Sequence, residues 1–242
     1  MTGHRWSVRL PLAIAGVAAA AHALPAATSI GPLRTRAFPG LAGVGGDHTI
    51  AVTFDDGPDP ATTALFLEEL RELGWRATFF ALGSMVRRSP SLAAAVASAG
   101  HDVALHGDEH RNLLFRGPVA TARDLHRGFD AIGSAVGRAP QWFRPPYGVL
   151  TMDAALVARS LGMRTALWTA WGRDWRAEAT PRSIVADVRR NLRPGGTVLL
   201  HDTSASGSWR ATLRALRPID ELIREIGASP APLSEHLARP SG

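Results

Sequence analysis

The sequence predicts an α/β fold built on a parallel sheet or barrel, and three observations support this prediction. Short β-type runs alternate with helical patterns from residue 49 to residue 226. Polar motifs directly follow most of the apolar strands, as expected when a site forms at the carboxyl ends of parallel strands. The chain has 242 residues and is 45% hydrophobic, which is sufficient for one domain of barrel size.

Six strands are predicted from runs of β-branched, aromatic and other apolar residues. The runs are bounded by turn-forming residues and by the helical patterns that follow them. The predicted strands cover residues 49–54, 77–82, 102–105, 141–143, 164–169 and 197–200.

Six helices are predicted after these strands from start signals, apolar faces and stop signals. The first begins at Asp59-Pro60, places Leu65, Leu70 and Leu73 on its inner side and ends at Gly74. The third has apolar residues at i, i+4, i+7 and i+11, which lie on one helical face. The predicted helices cover residues 59–74, 89–100, 118–136, 151–162, 180–192 and 218–226.

The N-terminal residues have the pattern of an export signal. Two arginines precede a short apolar run that ends in Ala21-His22-Ala23, and the run is too short to span a bilayer. The sequence therefore predicts a signal peptide or N-terminal anchor over residues 1–23. Residues 24–47 are rich in Pro, Gly and Ala and are predicted to be a linker, which leaves residues 48–242 as the catalytic domain.

The composition excludes several kinds of chemistry. All 27 basic residues are arginine, so lysine Schiff bases and P-loop chemistry are excluded. The chain has no cysteine, which excludes disulfides, thiolate metal ligands and a cysteine nucleophile. The arginines form no basic stripe interleaved with aromatic residues, so we expect no nucleic-acid partner.

Five short motifs carry the chemistry. Asp55 and Asp56 are neighbours at a strand end, so one can bind a metal while the other acts as a base. His106 and His110 are four residues apart, and on a helical turn this spacing places both imidazoles on one face. Together with Asp56 they predict a site for a divalent metal, with Zn²⁺ as first choice and Co²⁺, Ni²⁺, Mn²⁺ or Fe²⁺ as alternatives.

The remaining motifs supply partners for these groups. Arg144 lies in a Pro-rich turn and can clamp a carboxylate. His201 follows an apolar strand and can donate a proton if it faces a carboxylate such as Asp174. Tyr147, Trp171 and Trp175 are candidates for contact with a sugar, and a core position is the alternative for each.

The order and content of these motifs resemble the polysaccharide deacetylases, carbohydrate esterase family four, over roughly residues 48–205. The resemblance implies a distorted (β/α) barrel and a hydrolase that removes N-acetyl groups from a glucosamine-containing polysaccharide, with a divalent metal as cofactor. In this resemblance, Asp55 is the catalytic base and His201 the catalytic acid, with Arg144 and Asp174 as their respective partners. The metal ligands are Asp56, His106 and His110. The residues expected to contact the substrate are Tyr147, Pro146, Trp175 and Leu199. With the export signal at the N-terminus, we expect a secreted or envelope-associated protein, and we expect it to be a monomer.

One position departs from the family pattern. The second motif of the family reads His-Ser/Thr-x-x-His, whereas the second position here is Gly107. The hydroxyl of the family residue would brace the loop by a hydrogen bond, so its absence leaves the rigidity of the loop open.

Other functions remain as alternatives. His106, Glu109 and His110 also match the inverted zinc-protease motif, with Glu178 as the nearest further ligand. A site of two histidines and one carboxylate also occurs in iron oxygenases, although those usually have β-rich folds. An O-acetyl xylan esterase, a small-amide hydrolase and a non-catalytic carbohydrate-binding protein are the remaining possibilities.

Overall fold

A parallel sheet forms the centre of the protein. The computed structural model describes residues 16–238. The strands are β1 Thr49–Asp55, β2 Thr78–Ala81, β3 Asp102–Leu105, β4 Trp142–Phe143, β5 Arg164–Thr165, β6 Ala170–Trp171, β7 Thr197–His201 and β8 Ser229–Ala231. Their order is β5-β4-β3-β2-β1-β7-β6, every pairing is parallel, and β8 pairs with the start of β1.

The sheet curls until its two ends meet. β5 and β6 lie at opposite ends of the strand order, yet only residues 166–169 separate them in sequence. A stretch of this length spans at most roughly 17 Å, so the ends must approach each other. The single strand predicted over residues 164–169 was therefore wrong, because these residues close the barrel and pair with both of its ends. The prediction of a distorted (β/α) barrel is confirmed.

Alternation along β1 separates the core from the barrel interior. Ile50, Val52 and Phe54 join the main hydrophobic cluster that packs against the helices. Ala51 belongs to a smaller interior cluster, and Asp55 reaches the interior guanidinium of Arg144. The barrel interior thus combines polar groups with a smaller apolar cluster that includes Phe80 and Trp142.

Helices surround the sheet at most of the predicted positions. The first predicted helix starts four residues late, at Thr63, and Leu65 is 46% exposed, so its predicted inward position was wrong. Leu70 is buried as predicted, Leu73 is partly buried against the core, and Phe66 adds to the buried face. The helices are α1 Gly31–Ala37, α2 Thr63–Leu73, α3 Gly83–Arg88, α4 Pro90–Ser98, α5 Pro118–Val136, α6 Met152–Ser160, α7 Pro181–Asn191, α8 Trp209–Glu225 and α9 Leu233–His236.

The helix predicted over residues 218–226 is longer than expected. It is α8, which begins at Trp209 and includes Pro218 in its interior. Proline normally indicates a helix start, because it lacks the N–H that an interior position uses. Here an apolar face on both sides of the proline, with Leu216 and Ile219 fully buried, continues the helix through it.

The segment predicted to be a linker is folded onto the barrel. Residues 24–47 contain a 3-10 helix, Leu24–Ser29, and α1. The Leu41 carbonyl accepts a hydrogen bond from the Leu167 N–H at 2.7 Å, where the chain closes the barrel. This segment therefore covers the seam between the two ends of the sheet, and its Pro- and Gly-rich composition reflects a tightly turned path.

The predicted export signal lies largely outside the described residues. Within it, residues 16–23 are helical. Across residues 16–238, each helix is too short or too polar to cross a lipid bilayer.

Candidate active site

Asp55, His201 and the three predicted metal ligands line one cavity of about 350 Å³. The other two predicted catalytic residues, Arg144 and Asp174, are fully buried and contact Asp55 and His201 from behind the cavity wall. The cavity lies at the carboxyl ends of β1, β3 and β7, which is the face where barrel enzymes place their sites. Pro146 is buried and does not line this cavity, whereas Tyr147, Trp175 and Leu199 do. The lining residues are Asp55, Asp56, His106, His110, Tyr147, Gly148, Trp168, Trp171, Trp175, Leu199 and His201.

Asp55 is held by a fully buried ion pair. Its Oδ1 accepts a hydrogen bond from Arg144 Nη1 at 2.7 Å, and the guanidinium stacks over the Phe80 ring at 3.9 Å. Burial lowers the pKa of Arg144, while the charge of Asp55 and their hydrogen bond raise it. The pair fixes the direction of the Asp55 carboxylate, so that its second oxygen is available to the cavity.

Asp56, His106 and His110 form a cluster suited to a divalent metal. Asp56 Oδ1 lies 3.5 Å from Nε2 of each histidine, and one candidate ligand atom from each residue lies within 4.8 Å of the others. The His106 Nδ1 lies 2.8 Å from the Arg144 carbonyl, which fixes the tautomer with the Nε2 lone pair toward Asp56.

The donor set fits the expected cofactor. Asp56 Oδ1 is buried, and within residues 16–238 no hydrogen-bond donor reaches it. A buried carboxylate oxygen without a partner is costly, and a bound cation would satisfy it. Two imidazole nitrogens and one carboxylate oxygen are ligands that Zn²⁺ and similar metals accept.

The histidine pair does not lie on a helical turn, and that part of the prediction was wrong. His106 directly follows β3, and the chain then bends through a loop, because Gly107 has a φ of +91°. The two imidazole rings are still brought together, with centroids 5.4 Å apart.

Asp124 braces this loop in place of the missing hydroxyl. The Asp108 N–H donates to Asp124 Oδ2 at 2.9 Å, across the interface between the loop and α5. A Cβ added at Gly107 would lie 3.0 Å from the same oxygen, and the positive φ disfavours any side chain there. Gly107 therefore leaves the space that the Asp124 carboxylate needs to accept this hydrogen bond. The sequence pattern alone did not indicate Asp124.

His201 and Asp174 form the second charged pair. His201 Nδ1 lies 2.9 Å from Asp174 Oδ1, and the His201 N–H donates to Asp174 Oδ2 at 2.8 Å. Burial alone lowers the pKa of His201. The charge and hydrogen bond of Asp174, with the charges of Asp56 and Asp55, outweigh this and raise the pKa to about 9. Asp174 therefore stabilises the imidazolium form of His201.

Aromatic side chains form one wall of the cavity. The Trp168 and Trp171 rings lie 5.8 Å apart, and the Trp171 and Trp175 rings lie 5.0 Å apart. Trp175 also contacts the His201 ring edge to face at 5.8 Å. Trp168 lies within the predicted 164–169 strand and was not predicted as a site residue.

The structure does not support the inverted zinc-protease alternative. The Glu109 side chain is 51% exposed and pairs with Arg111 at 3.0 Å, and Glu109 does not line the cavity. Glu178 is exposed as well. The parallel barrel also differs from the β-rich folds of iron oxygenases.

Comparison with protein families identifies the family of this chain. A family model described as "Polysaccharide deacetylase" matches residues 42–166, just over half of the chain. The chain belongs to this family. It is therefore a polysaccharide deacetylase, a hydrolase of the class that the five motifs resemble.

Curated relatives of this deacetylase cover most of its length. A chitooligosaccharide deacetylase of a Bradyrhizobium strain is 33% identical over 79% of this chain and 92% of its own. A peptidoglycan-N-acetylglucosamine deacetylase of Bacillus cereus is 35% identical over 79% of this chain and 89% of its own.

Solved structures share the fold. A peptidoglycan N-acetylglucosamine deacetylase has a TM-score of 0.75 at 27% identity, with 79% of this chain and 88% of that chain covered. A pseudoenzyme of carbohydrate esterase family 4 from Bacillus anthracis has a TM-score of 0.72 at 25% identity, with 79% and 66% covered. Because this fold also occurs in a pseudoenzyme, the residues of the site must decide activity in this chain.

Proposed function

We propose that this deacetylase releases acetate from N-acetylglucosamine units of a peptidoglycan-like or chitin-like glycan. The observation that carries the proposal is one cavity that holds the Asp56–His106–His110 cluster between two charged pairs. One pair, Asp55 with Arg144, offers a base, and the other, His201 with Asp174, offers an acid. This arrangement is complete for hydrolysis of an amide.

The metal site would be built by Asp56, His106 and His110. A divalent ion bound there, with Zn²⁺ as first choice and Co²⁺, Ni²⁺, Mn²⁺ or Fe²⁺ as alternatives, would polarise the acetamide carbonyl and make water more acidic. Asp56 has a φ of 79°, a left-handed conformation that is uncommon for residues other than glycine. Such strain at a candidate ligand is consistent with a functional role.

Asp55 acts as the general base and His201 as the general acid. Asp55 accepts a proton from the attacking water, and the neighbouring Arg144 keeps its carboxylate aimed into the cavity. His201 donates a proton to the departing amine nitrogen, and Asp174 stabilises its imidazolium form before that transfer. The products are acetate and a glucosamine unit.

Tyr147 and the tryptophan wall would hold the substrate. Tyr147 has a φ of 60° and lies on the cavity rim, where its backbone N–H would donate to the developing oxyanion. Trp175 is 40% exposed, so its ring is available to pack against a sugar face. Leu199 forms an apolar part of the lining.

Export of the protein belongs to this proposal. Glycans of this kind lie in or outside the cell envelope, so the enzyme has to reach them. We propose that residues 1–23 direct export and that residues 24–47 remain with the barrel, because residues of that segment form hydrogen bonds with it.

Acetate release is expected to depend on the metal. Protein freed of metal by a chelator should release no acetate from N-acetylglucosamine oligomers or peptidoglycan, because the carbonyl is then not polarised. Added Zn²⁺ or Co²⁺ should restore release, and His110→Ala should prevent restoration. Acetate release that is equal with and without metal would contradict the proposal.

The same assay separates the alternatives. Release from acetylated xylan but from no N-acetylated glycan would indicate an O-acetyl esterase, and release from simple acetamides alone would indicate a small-amide hydrolase. Binding to the oligomers with no acetate release from any substrate would indicate a non-catalytic carbohydrate-binding protein.

Asp174→Asn is expected to shift the alkaline limb of the pH–rate profile to lower pH. A general acid works while protonated, so the rate falls as pH rises through the pKa of His201. Without the Asp174 charge, burial lowers that pKa. The check is kcat/KM from pH 6 to pH 10, with Asp130→Asn, an exposed carboxyl on α5, as the matched control. An unmoved alkaline limb would contradict the role of His201.

A further inference from the structure

A second cavity of about 730 Å³ adjoins the candidate active site. The two cavities share the lining residues Tyr147, Gly148, Trp168 and Trp171. The far side of the second cavity is formed by α1 and its neighbouring residues. These belong to the segment over residues 24–47, which covers the barrel seam. A glycan chain with one sugar in the active site can therefore continue into this cavity.

Positive charge dominates the second cavity. Four arginines line it: Arg34, Arg36, Arg173 and Arg193. We call the surface formed by these arginines with Trp168 and Trp171 the arginine groove. No acidic residue is found among the described residues that line this second cavity. Within residues 16–238 these four arginines form no ion pair with a carboxylate, which distinguishes them from many arginines elsewhere on the surface, such as those that pair with Glu68 and Asp220.

Two of these arginines are held in place without a protein counter-charge. Arg34 is 2% exposed, and its guanidinium donates to the carbonyls of Thr28 and Trp168 at 2.9 and 2.7 Å. Burial and then the charge of Arg144 lower the pKa of Arg34 to about 10. Arg173 lies over the Trp171 ring at 5.1 Å, and its buried Nε has no hydrogen-bond partner among the described residues.

This arrangement favours an anion in the groove. Buried or partly buried charges without a counter-charge are destabilising, and a carboxylate offsets them through charge-assisted hydrogen bonds with guanidinium groups. The Trp168 and Trp171 rings offer apolar faces of the kind that pack against sugar rings. A neutral chitin chain carries hydroxyl and acetamide groups and would leave the positive charge uncompensated.

We propose that the arginine groove binds a carboxylate-bearing sugar beside the acetylated sugar in the active site, which makes an acidic glycan the preferred substrate. This inference rests on the proposed deacetylase function and specifies its substrate class. A hexuronate and a lactyl ether on the sugar ring both supply the required carboxylate.

The test compares three oligosaccharides of equal length. One is a neutral N-acetylglucosamine oligomer, one alternates N-acetylglucosamine with glucuronate, and one is a peptidoglycan glycan strand freed of its peptides. We expect a lower KM for the two acidic substrates, with a preference that weakens as NaCl is raised. A preference for one acidic substrate alone would identify which carboxylate the groove accepts.

Charge removal gives the decisive comparison. Arg36→Gln with Arg193→Gln removes two exposed groove charges, and Arg123→Gln with Arg214→Gln removes two exposed charges that line no described cavity. The groove variant should raise KM for the acidic substrates about tenfold and KM for the neutral oligomer much less, because the substitutions remove charge that only a carboxylate needs. The control variant should leave both substrates unchanged.

Binding measured by tryptophan fluorescence separates this inference from the proposed function. Acidic glycans that bind wild type more tightly than the groove variant, with no acetate release from any substrate, would support the groove and contradict deacetylation. If wild type binds acidic and neutral oligomers with equal affinity, and the groove variant binds each of them as tightly as wild type does, the groove inference is overturned, whatever the activity.

Discussion

Asp55→Asn is expected to abolish acetate release while leaving the divalent metal bound. Asparagine still accepts the hydrogen bond from Arg144, which is 2.7 Å long in the wild type, so the side chain keeps its place. It cannot accept the proton of the attacking water, and loss of a general base lowers rates by about 10²- to 10⁴-fold. The measurement is acetate release at saturating substrate, with metal content determined by mass spectrometry.

Metal content separates two roles of Asp55. Its Oδ2 lies 3.7 Å from His106 Nε2, close enough that a role as metal ligand has to be tested. Loss of both metal and activity in Asp55→Asn would make this residue a ligand rather than a base. Activity within tenfold of wild type would remove Asp55 from the mechanism. His110→Ala is the matched comparison, since it should lose the metal itself.

The sequence predicted the fold class and the site because both depend on local signals. Apolar runs and helix start signals are visible within a few residues, and the polar motifs follow directly after strands. Parallel strands bring their carboxyl ends to one face, so Asp55, His106 and His201 could be expected to meet although about 150 residues separate the first from the last.

Features that depend on distant contacts could not be predicted. The role of Asp124 requires knowing that α5 packs beside the His106–His110 loop, and no local pattern shows this. The segment over residues 24–47 has the composition of a linker, and its position over the barrel seam depends on hydrogen bonds such as that between Leu41 and Leu167. The split of the predicted 164–169 strand likewise follows from closure of the barrel.

Arg144→Met is expected to cause the largest loss of stability of any single substitution at the site. The guanidinium is fully buried and donates to Asp55, to Thr53 Oγ1 and to the carbonyls of Ala166 and Leu167, at 2.7 to 3.0 Å. Methionine fills part of the volume but leaves the Asp55 carboxylate and two carbonyls without these donors. Loss of one partner of a buried pair costs about 3–5 kcal/mol.

The melting temperature measures this effect. For a domain of this size, the loss corresponds to a fall in Tm of about 6–20 °C. Arg123→Met, on the exposed side of α5, is the control and should change the free energy of unfolding by about 0.5 kcal/mol or less. An equally small change in Arg144→Met would mean that the buried pair does not stabilise the barrel.

A double-mutant cycle identifies the cause of the loss. If the cost in Arg144→Met comes mainly from the unpaired Asp55 carboxylate, then adding Asp55→Asn should recover part of the lost stability, because the neutral amide is cheaper to bury. If the cost comes mainly from the carbonyls of Ala166 and Leu167, the second substitution should recover nothing. The second result would show that Arg144 stabilises the chain where it closes the barrel, and that its contact with Asp55 serves the orientation of the base.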